Sequence, residues 1–259
     1  MLRRARHLDV RPAAGAARTP LRDAVNIPMA ELPHRVYELP PRDETTLVAD
    51  TGPEAAEAVR WLRGQERAAE LVKGFDYAAP HAPTDTGRLW SPNEFLELVA
   101  PQLPPAVALD VGCGVGREAV YLKALGWRVA AIDALDDALA RGGALEARYF
   151  PGQPAIDWVR RDVEREGVGQ RGAYDLVTVF RFLHRPLFAE LIGALAPGGS
   201  LLAETFTTLH RAARGRPQRD AFVLQPGELP TLAAGLRIVR FEEGWHGWAH
   251  TARLWARKD

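Results

Sequence analysis

The chain has 259 residues, 47% hydrophobic and 25% charged, a composition that suits a globular protein large enough for two cores. Lys plus Arg and Asp plus Glu number 33 each, so no net field favours nucleic acid or an anionic membrane. The one cysteine, Cys113, excludes an intrachain disulfide framework, and no apolar run approaches the roughly 18 residues of a membrane span. The basic start, residues 1–7, is followed by no signal-type apolar stretch, and a cytoplasmic location is expected.

Residues 7–11 read as a short strand and residues 23–28 as a second. A helix is expected over 29–37, a third strand over 45–49, and a helix over 53–63 with Pro53 in its first turn. Residues 69–73 form a last short strand. Alternating strands and helices imply a small parallel sheet. Residues 76–90 then mix Pro80, Pro83 and Gly87 with polar residues, which interrupts regular structure and marks a linker.

The strings "LDVRP", "DAVNIPMAELP" and "AEAVRWL" resemble a rhodanese-like domain over residues 1–75. In that family a cysteine on the loop after the third strand carries sulfane sulfur. Here Ala49 or Asp50 stands at that place, and neither has a thiol. The resemblance therefore implies a fold without sulfur transfer, left with a binding or scaffolding role. Asp50 is expected to cap the following helix.

The second half, residues 91–259, opens with a helix to about residue 99, started by Ser91-Pro92-Asn93-Glu94. Residues 106–110 are a continuous apolar run, as in a buried parallel strand. It leads through Gly112, Gly114 and Gly116 into a helix over 118–125, and then a strand over 128–133 ending on Asp133. A strand, glycine loop and helix point backbone amides at a ligand, and glycines remove side chains that would block its approach. Asp133, at the end of the neighbouring strand, can accept hydrogen bonds from ribose hydroxyls. The spacing is Gly-x-Gly-x-Gly. A dinucleotide fingerprint needs Gly-x-Gly-x-x-Gly, and Arg117 stands where its third glycine would be.

The string "LDVGCGVGR", with "LAPGGSLLAETF" later in the chain, resembles class I S-adenosylmethionine-dependent methyltransferases. The resemblance implies a Rossmann-like seven-stranded domain in an overall α/β protein, with S-adenosylmethionine as cofactor. It implies that Asp110 organises the methionine end of the cofactor together with Gly112, Gly114 and Gly116. Asp133 and Ala134 would hold the ribose, Asp162 and Val163 the adenine, and Phe180 would close the site. Asp162 also reads as the cap of a following turn. Cys113 is expected to be a small loop residue, not a nucleophile.

Further strands are expected over 156–161, 174–180, 200–206, 236–242 and 251–257, with a helix ending at 195 and a turn at 196–199. The strings "RFLHRPLF", "LLAETFT" and "FVLQPGEL" most resemble the tellurite-resistance-type small-molecule methyltransferases, which implies a soft nucleophile or an oxyanion as acceptor. Acceptor-side residues should follow the fourth and fifth strands. Arg181 is placed there to position an anionic acceptor and His184 as general base. Glu204, Thr207 and His210 come next, with a basic loop of Arg211, Arg214, Arg216 and Arg219 that could hold an anionic substrate or RNA phosphates. Trp245 and Trp248 line the acceptor pocket or pack between strands. His246 and His250 lack the further ligands that a metal site needs, so no metal is expected. RNA as acceptor, and a non-catalytic cofactor sensor, are the alternatives. Nothing in the sequence sets an oligomeric state.

Overall fold

In the computed structural model, which describes residues 2–79 and 87–259, the chain divides into two compact units, Met1–Ser91 and Pro92–Asp259. The first holds a four-stranded sheet in the order β2-β1-β3-β4, from β1 (His7–Asp9), β2 (Ala24–Asn26), β3 (Thr46–Ala49) and β4 (Ala69–Val72), every pairing parallel. Two helices belong to it: α1 (Ala13–Arg18), which the sequence reading lacks, and α2 (Pro53–Gly64). Ala55, Ala58, Val59 and Leu62 recur at helical spacing on α2 and pack with Leu8, Val48 and Ile27 in one core.

Two expectations in this unit are corrected. No α-helix spans 29–37; two 3-10 turns, Leu32–His34 and Val36–Glu38, take its place. Pro33 has no amide to donate, and its ring disfavours a continuous helical ladder. Nor does Asp50 cap α2. The N-cap is Gly52, with Pro53 next, while the Asp50 carboxylate lies 3.9 Å from Lys73 Nζ. Of residues 76–90, Tyr77 forms an isolated bridge with Leu21, Arg88 another with Arg4, and Leu89 packs in the first core. Residues 80–86, with Pro80 and Pro83, lie outside the described residues.

The second unit is a seven-stranded Rossmann-like sheet. Its strands are β5 (Val107–Val111), β6 (Arg128–Asp133), β7 (Asp157–Arg160), β8 (Tyr174–Phe180), β9 (Leu195–Phe206), β10 (Arg237–His246) and β11 (Ala249–Arg257). The order is β10-β11-β9-β8-β5-β6-β7, with β11 antiparallel to both neighbours and the remaining pairings parallel. The strand order reverses beside β5, so the carboxyl ends of β5 and β8 open a crevice there. Leu109, Val111, Val177, Val179, Leu201 and Ala203 are buried on one face and Ala108, Leu176 and Leu202 on the other, which explains why these strands read as unbroken apolar runs.

The helices are α3 (Glu94–Val99), α4 (Arg117–Ala124), α5 (Asp136–Tyr149), α6 (Val163–Glu166), α7 (Phe188–Ala194), α8 (Thr208–Arg214) and α9 (Glu228–Leu232). Asn93 caps α3, its side chain accepting from the amides of Phe95 and Leu96. The same side chain donates to buried Glu204 at 2.9 Å, and Glu204 also accepts from Thr251 and lies 3.1 Å from Arg253 Nε. Three groups thus compensate one buried carboxylate, and its removal would leave Arg253 with Glu94 as its one carboxylate partner among the described residues.

Behind the glycine loop, the Trp158 ring of β7 lies against Gly142 of α5 and against Gly116. A Cβ at Gly142 would stand 2.5 Å from the indole, and one at Gly116 would stand 2.2 Å from it. The indole has no room to yield, because its Nε1 donates to buried Glu146 at 2.8 Å. Gly143, one residue on, meets nothing within 4 Å. Helix propensity alone favours alanine over glycine by about 1 kcal/mol at both positions. Overpacking costs about 1–3 kcal/mol at the first only. We expect Gly142→Ala to lower the urea midpoint and Gly143→Ala to raise it, read by circular dichroism on the full chain.

Candidate cofactor and acceptor site

Gly112, Gly114 and Gly116 all hold left-handed backbone, with φ of 66°, 53° and 70°. Each is strained for other residues, but the three face different surroundings. A Cβ at Gly112 would press Phe182 at 3.2 Å, and one at Gly116 would overlap Trp158. At Gly114 nothing lies within 4 Å, so this glycine borders open space at the mouth of the crevice. The loop is pinned to β6 by two bonds: Cys113 N–H donates to the Ile132 carbonyl at 3.0 Å, and Gly114 N–H to Asp133 Oδ2 at 2.8 Å. Asp133 Oδ1 accepts from Leu135 N–H at 3.0 Å. Its carboxylate is therefore oriented beside Ala134, with lone pairs left over for a ligand.

Asp110 is buried at the end of β5. Its Oδ1 accepts from Thr178 at 2.8 Å, while Oδ2 has no hydrogen-bond partner among the described residues. Burial pushes its pKa up to about 8, and the nearby charges of Glu118 and Asp133 push in the same direction, against the Thr178 bond. Burial, then Asp110, Asp133 and Glu118, also raise the Cys113 thiol, so it is not a thiolate at neutral pH. Glu118 and Asp133, with Asp110 able to ionise beside a cation, make the glycine loop a cradle suited to a cationic guest and hostile to a pyrophosphate. Among the described residues no three His, Cys, Asp or Glu side chains converge in a metal-holding group.

Asp162 caps α6, accepting from Glu164 N–H at 3.2 Å, and Val163 begins that helix at the carboxyl end of β7. Phe180 is buried at the end of β8. Arg181 follows with φ 56°, an uncommon conformation for a residue with a side chain, and its amide donates to the Glu204 carbonyl at 2.7 Å. This places its guanidinium over two rings, 5.8 Å from the centre of Phe206 and 5.6 Å from that of Trp248. His184 is half-buried and begins the 3-10 turn Arg185–Leu187, where its carbonyl accepts from Leu187. Arg185 is tied to Glu228 by a two-pronged ion pair.

A second cluster, of aromatic rings and histidines, gathers around Phe206. His210 stacks on Phe206 at 4.4 Å, and Trp248 meets His210 edge-on at 5.2 Å. Trp245 abuts His250 at 5.3 Å and carries Arg214 at 5.7 Å. Thr207 Oγ1 and His250 Nδ1 are 2.7 Å apart. The His250 amide donates to His210 Nδ1 at 3.2 Å, which keeps that nitrogen unprotonated. Burial and the charges of Arg214, His250 and Arg181 lower the His210 pKa in agreement. The basic stretch is not all loop: Arg211 and Arg214 lie in α8, and Arg211 pairs with Asp220. Glu204, entered as a candidate, is consumed by its buried network. Phe206, Phe182 and Trp158 went unnamed in the sequence, because an aromatic in a strand carries no local sign of what it faces.

The elevated Asp110 carboxyl has a measurable consequence. A carboxylic acid that binds its proton more tightly when folded favours the fold at low pH. That contribution is lost as pH rises from about 4, the unfolded value, to about 8. Asp110→Asn removes the effect. The stability difference between Asp110→Asn and the parent, from denaturant melts of the ligand-free chains, should grow in favour of the variant between pH 5 and pH 8. An unchanged difference would contradict the burial account.

Residues 108–199 match the family model for a methyltransferase domain. The ubiquinone biosynthesis O-methyltransferase of Burkholderia thailandensis is 32% identical over 114 residues, 42% of this chain and 47% of that protein. A protein-L-isoaspartate O-methyltransferase from Stenotrophomonas maltophilia is 28% identical over 142 residues, 52% and 60% of the two. The chain thus spans about half the length of the curated relatives it matches. Among solved structures, TehB from Haemophilus influenzae superposes with a TM-score of 0.54 at 19% identity, covering 65% of this chain and 63% of that one. At that identity the likeness concerns the fold alone. The matched stretch, residues 108–199, lies within the second unit and runs from β5 into β9.

Proposed function

We propose that the chain transfers a methyl group from S-adenosylmethionine to a small-molecule acceptor, a soft nucleophile or an oxyanion. The observation that carries this reading is the negative cradle of Asp110, Glu118 and Asp133 around an open Gly114. S-adenosylmethionine brings a sulfonium and an ammonium, and the unpartnered Asp110 Oδ2 suits the second of these. A proton leaves Asp110 when a cation arrives, since the opposite charge favours the carboxylate. Asp133 and Ala134 take the ribose, Asp162 and Val163 the adenine edge, and Phe180 packs beside them. Gly112 and Gly116 hold the loop's path.

The cofactor supplies an electrophilic methyl on a sulfonium. When bound, it would donate that methyl to an acceptor's lone pair, the carbon–sulfur electron pair being left on sulfur. The chain's own task is alignment, which can supply about 7–11 kcal/mol of the barrier. Arg181 positions an anionic acceptor, and His184 takes the proton from an acceptor that carries one. A tellurite-resistance-type branch is the finer assignment, resting on "RFLHRPLF" and "FVLQPGEL". RNA is a weaker reading, because Arg211 is already paired with Asp220.

The proposed division is a rhodanese-like domain over 1–75 and the methyltransferase domain over 91–259. The end of β3 and the loop after it offer Ala49 and Asp50 and no thiol, so the first domain is read as a scaffold. No helix among the described residues is long and apolar enough to cross a membrane.

A ligand at 100 times its dissociation constant adds about 2.7 kcal/mol to the folded state. S-adenosylmethionine and S-adenosylhomocysteine should raise the melting temperature of the full chain, and Asp133→Ala should weaken the shift. NAD should have no effect. Stabilisation by NAD alone would overturn the assignment.

A further inference from the structure

The seven-stranded sheet ends on β7 at one side and on β10 at the other, and the two edges differ. Strand β7 has four residues and β10 has ten, so β10 offers the longer row of unpaired backbone groups. Along β10 the five residues from Arg237 to Phe241 are all exposed, and they include Ile238 at 45%, Val239 at 39% and Phe241 at 36%. Of the ten large apolar side chains exposed among the described residues, four lie on this strand, the fourth being Trp245. Single exposed apolar residues need no explanation, whereas a run of them along a long free edge marks an interaction surface.

The charges along β10 indicate what that surface fits. Basic Arg237 and Arg240 precede acidic Glu242 and Glu243 in the strand. Laid antiparallel on itself, such a strand sets its basic half against an acidic half, so a second copy complements it. A two-fold pairing of this kind centres on one residue, which then faces its own copy. Centring on Arg240, Glu242 or Glu243 would put like charges face to face, which destabilises a ladder. Centring on Phe241 sets ring against ring and places each Arg240 opposite the partner's Glu242. Arg240 already pairs with Glu242 of its own chain, and both side chains keep exposed surface for a second contact. The four groups would then alternate in sign around a square. A bulge at Val239 shifts the register of β10 against β11, but it lies outside the three central residues. Beyond it, Ile238 reaches the partner strand near Gly244, where a Cβ would meet nothing within 4 Å.

We infer that this edge is a homodimer interface, in which two copies of the chain pair antiparallel along β10 about an axis at Phe241. A strand from an unrelated protein is disfavoured, because only the chain's own sequence carries the matching order of charges. The ladder is short, so the dimer belongs with small, weak interfaces. The inference does not rest on the cofactor reading, and its failure would leave that reading untouched.

The test is sedimentation velocity of the full chain from about 2 to 200 µM, the range in which a small interface associates. A shift from 28.5 kDa toward twice that mass is the expected result. Arg240→Glu and Glu242→Arg should each weaken dimerisation by at least about tenfold, because each sets like charges opposite one another. An equimolar mixture of the two variants should restore the dimer, since every facing pair in the mixed species is again opposite in sign. Both variants lose the intrachain pair alike, so a purely structural effect would not be rescued by mixing. Ile238→Lys leaves that pair intact and should weaken the dimer as well, which keeps the test open if a charge variant folds poorly. A chain that stays monomeric at the highest concentration, charge variants that dimerise like the parent, or a mixture no tighter than its components would each overturn the proposal.

Discussion

The arrangement of the second unit depends on one packing contact, the Trp158 indole wedged behind the glycine loop. Its ring fills the space that a side chain at Gly116 or Gly142 would need, and its nitrogen is anchored on buried Glu146. Glu146 in turn accepts from Lys123 on α4 and from the Ile156 amide ahead of β7. One buried carboxylate therefore connects α4, α5 and β7, the three elements that fix where the loop runs. With its back held, the loop can present left-handed backbone and an open Gly114 to the crevice without collapsing onto it. The strained conformations are sustained by packing on the far side.

Charge is then sorted along the carboxyl edge of the sheet. Carboxylates gather where β5 and β6 end, and guanidinium groups and aromatic rings gather where β8, β9 and β11 meet. The border between them is Phe182, which touches Gly112 and follows Arg181 in the chain. The positive φ of Arg181 matters here, because it turns the side chain toward Phe206 and Trp248 at the moment the strand ends. A buried network centred on Glu204 braces the neighbouring strand. The same residue supplies the carbonyl that holds the Arg181 amide and the carboxylate that ties α3 to β11 through Asn93 and Thr251.

Much of this was legible in the sequence, and the exceptions share a cause. Strands β5, β6 and β8 read clearly because both faces are buried and their residues are apolar without a break. The glycine loop read clearly because its glycines and flanking acids sit at fixed local spacing. Helix α5 was missed, although Asp136 and Asp137 favour a helix start, because Gly142 and Gly143 interrupt its pattern. Those glycines make sense only once Trp158 is in place. The helix expected over 29–37 failed at Pro33, where a missing amide outweighed periodicity. Strand β10 runs through Gly244 to His246 and β11 starts at Ala249, beyond their expected ends, since the two pair antiparallel with each other and β11 also pairs with β9. The aromatic and arginine cluster joins residues 181, 206, 210, 214, 245 and 248, and only the tertiary fold brings them together.

Hydrogen–deuterium exchange of the full chain with and without S-adenosylhomocysteine tests the central claim most directly. The account predicts slower exchange at the amides of residues 112–117 and 133–136, with residues 237–243 on the far edge strand unchanged. Absence of protection at the glycine loop, or protection there by NAD and not by S-adenosylhomocysteine, would contradict it.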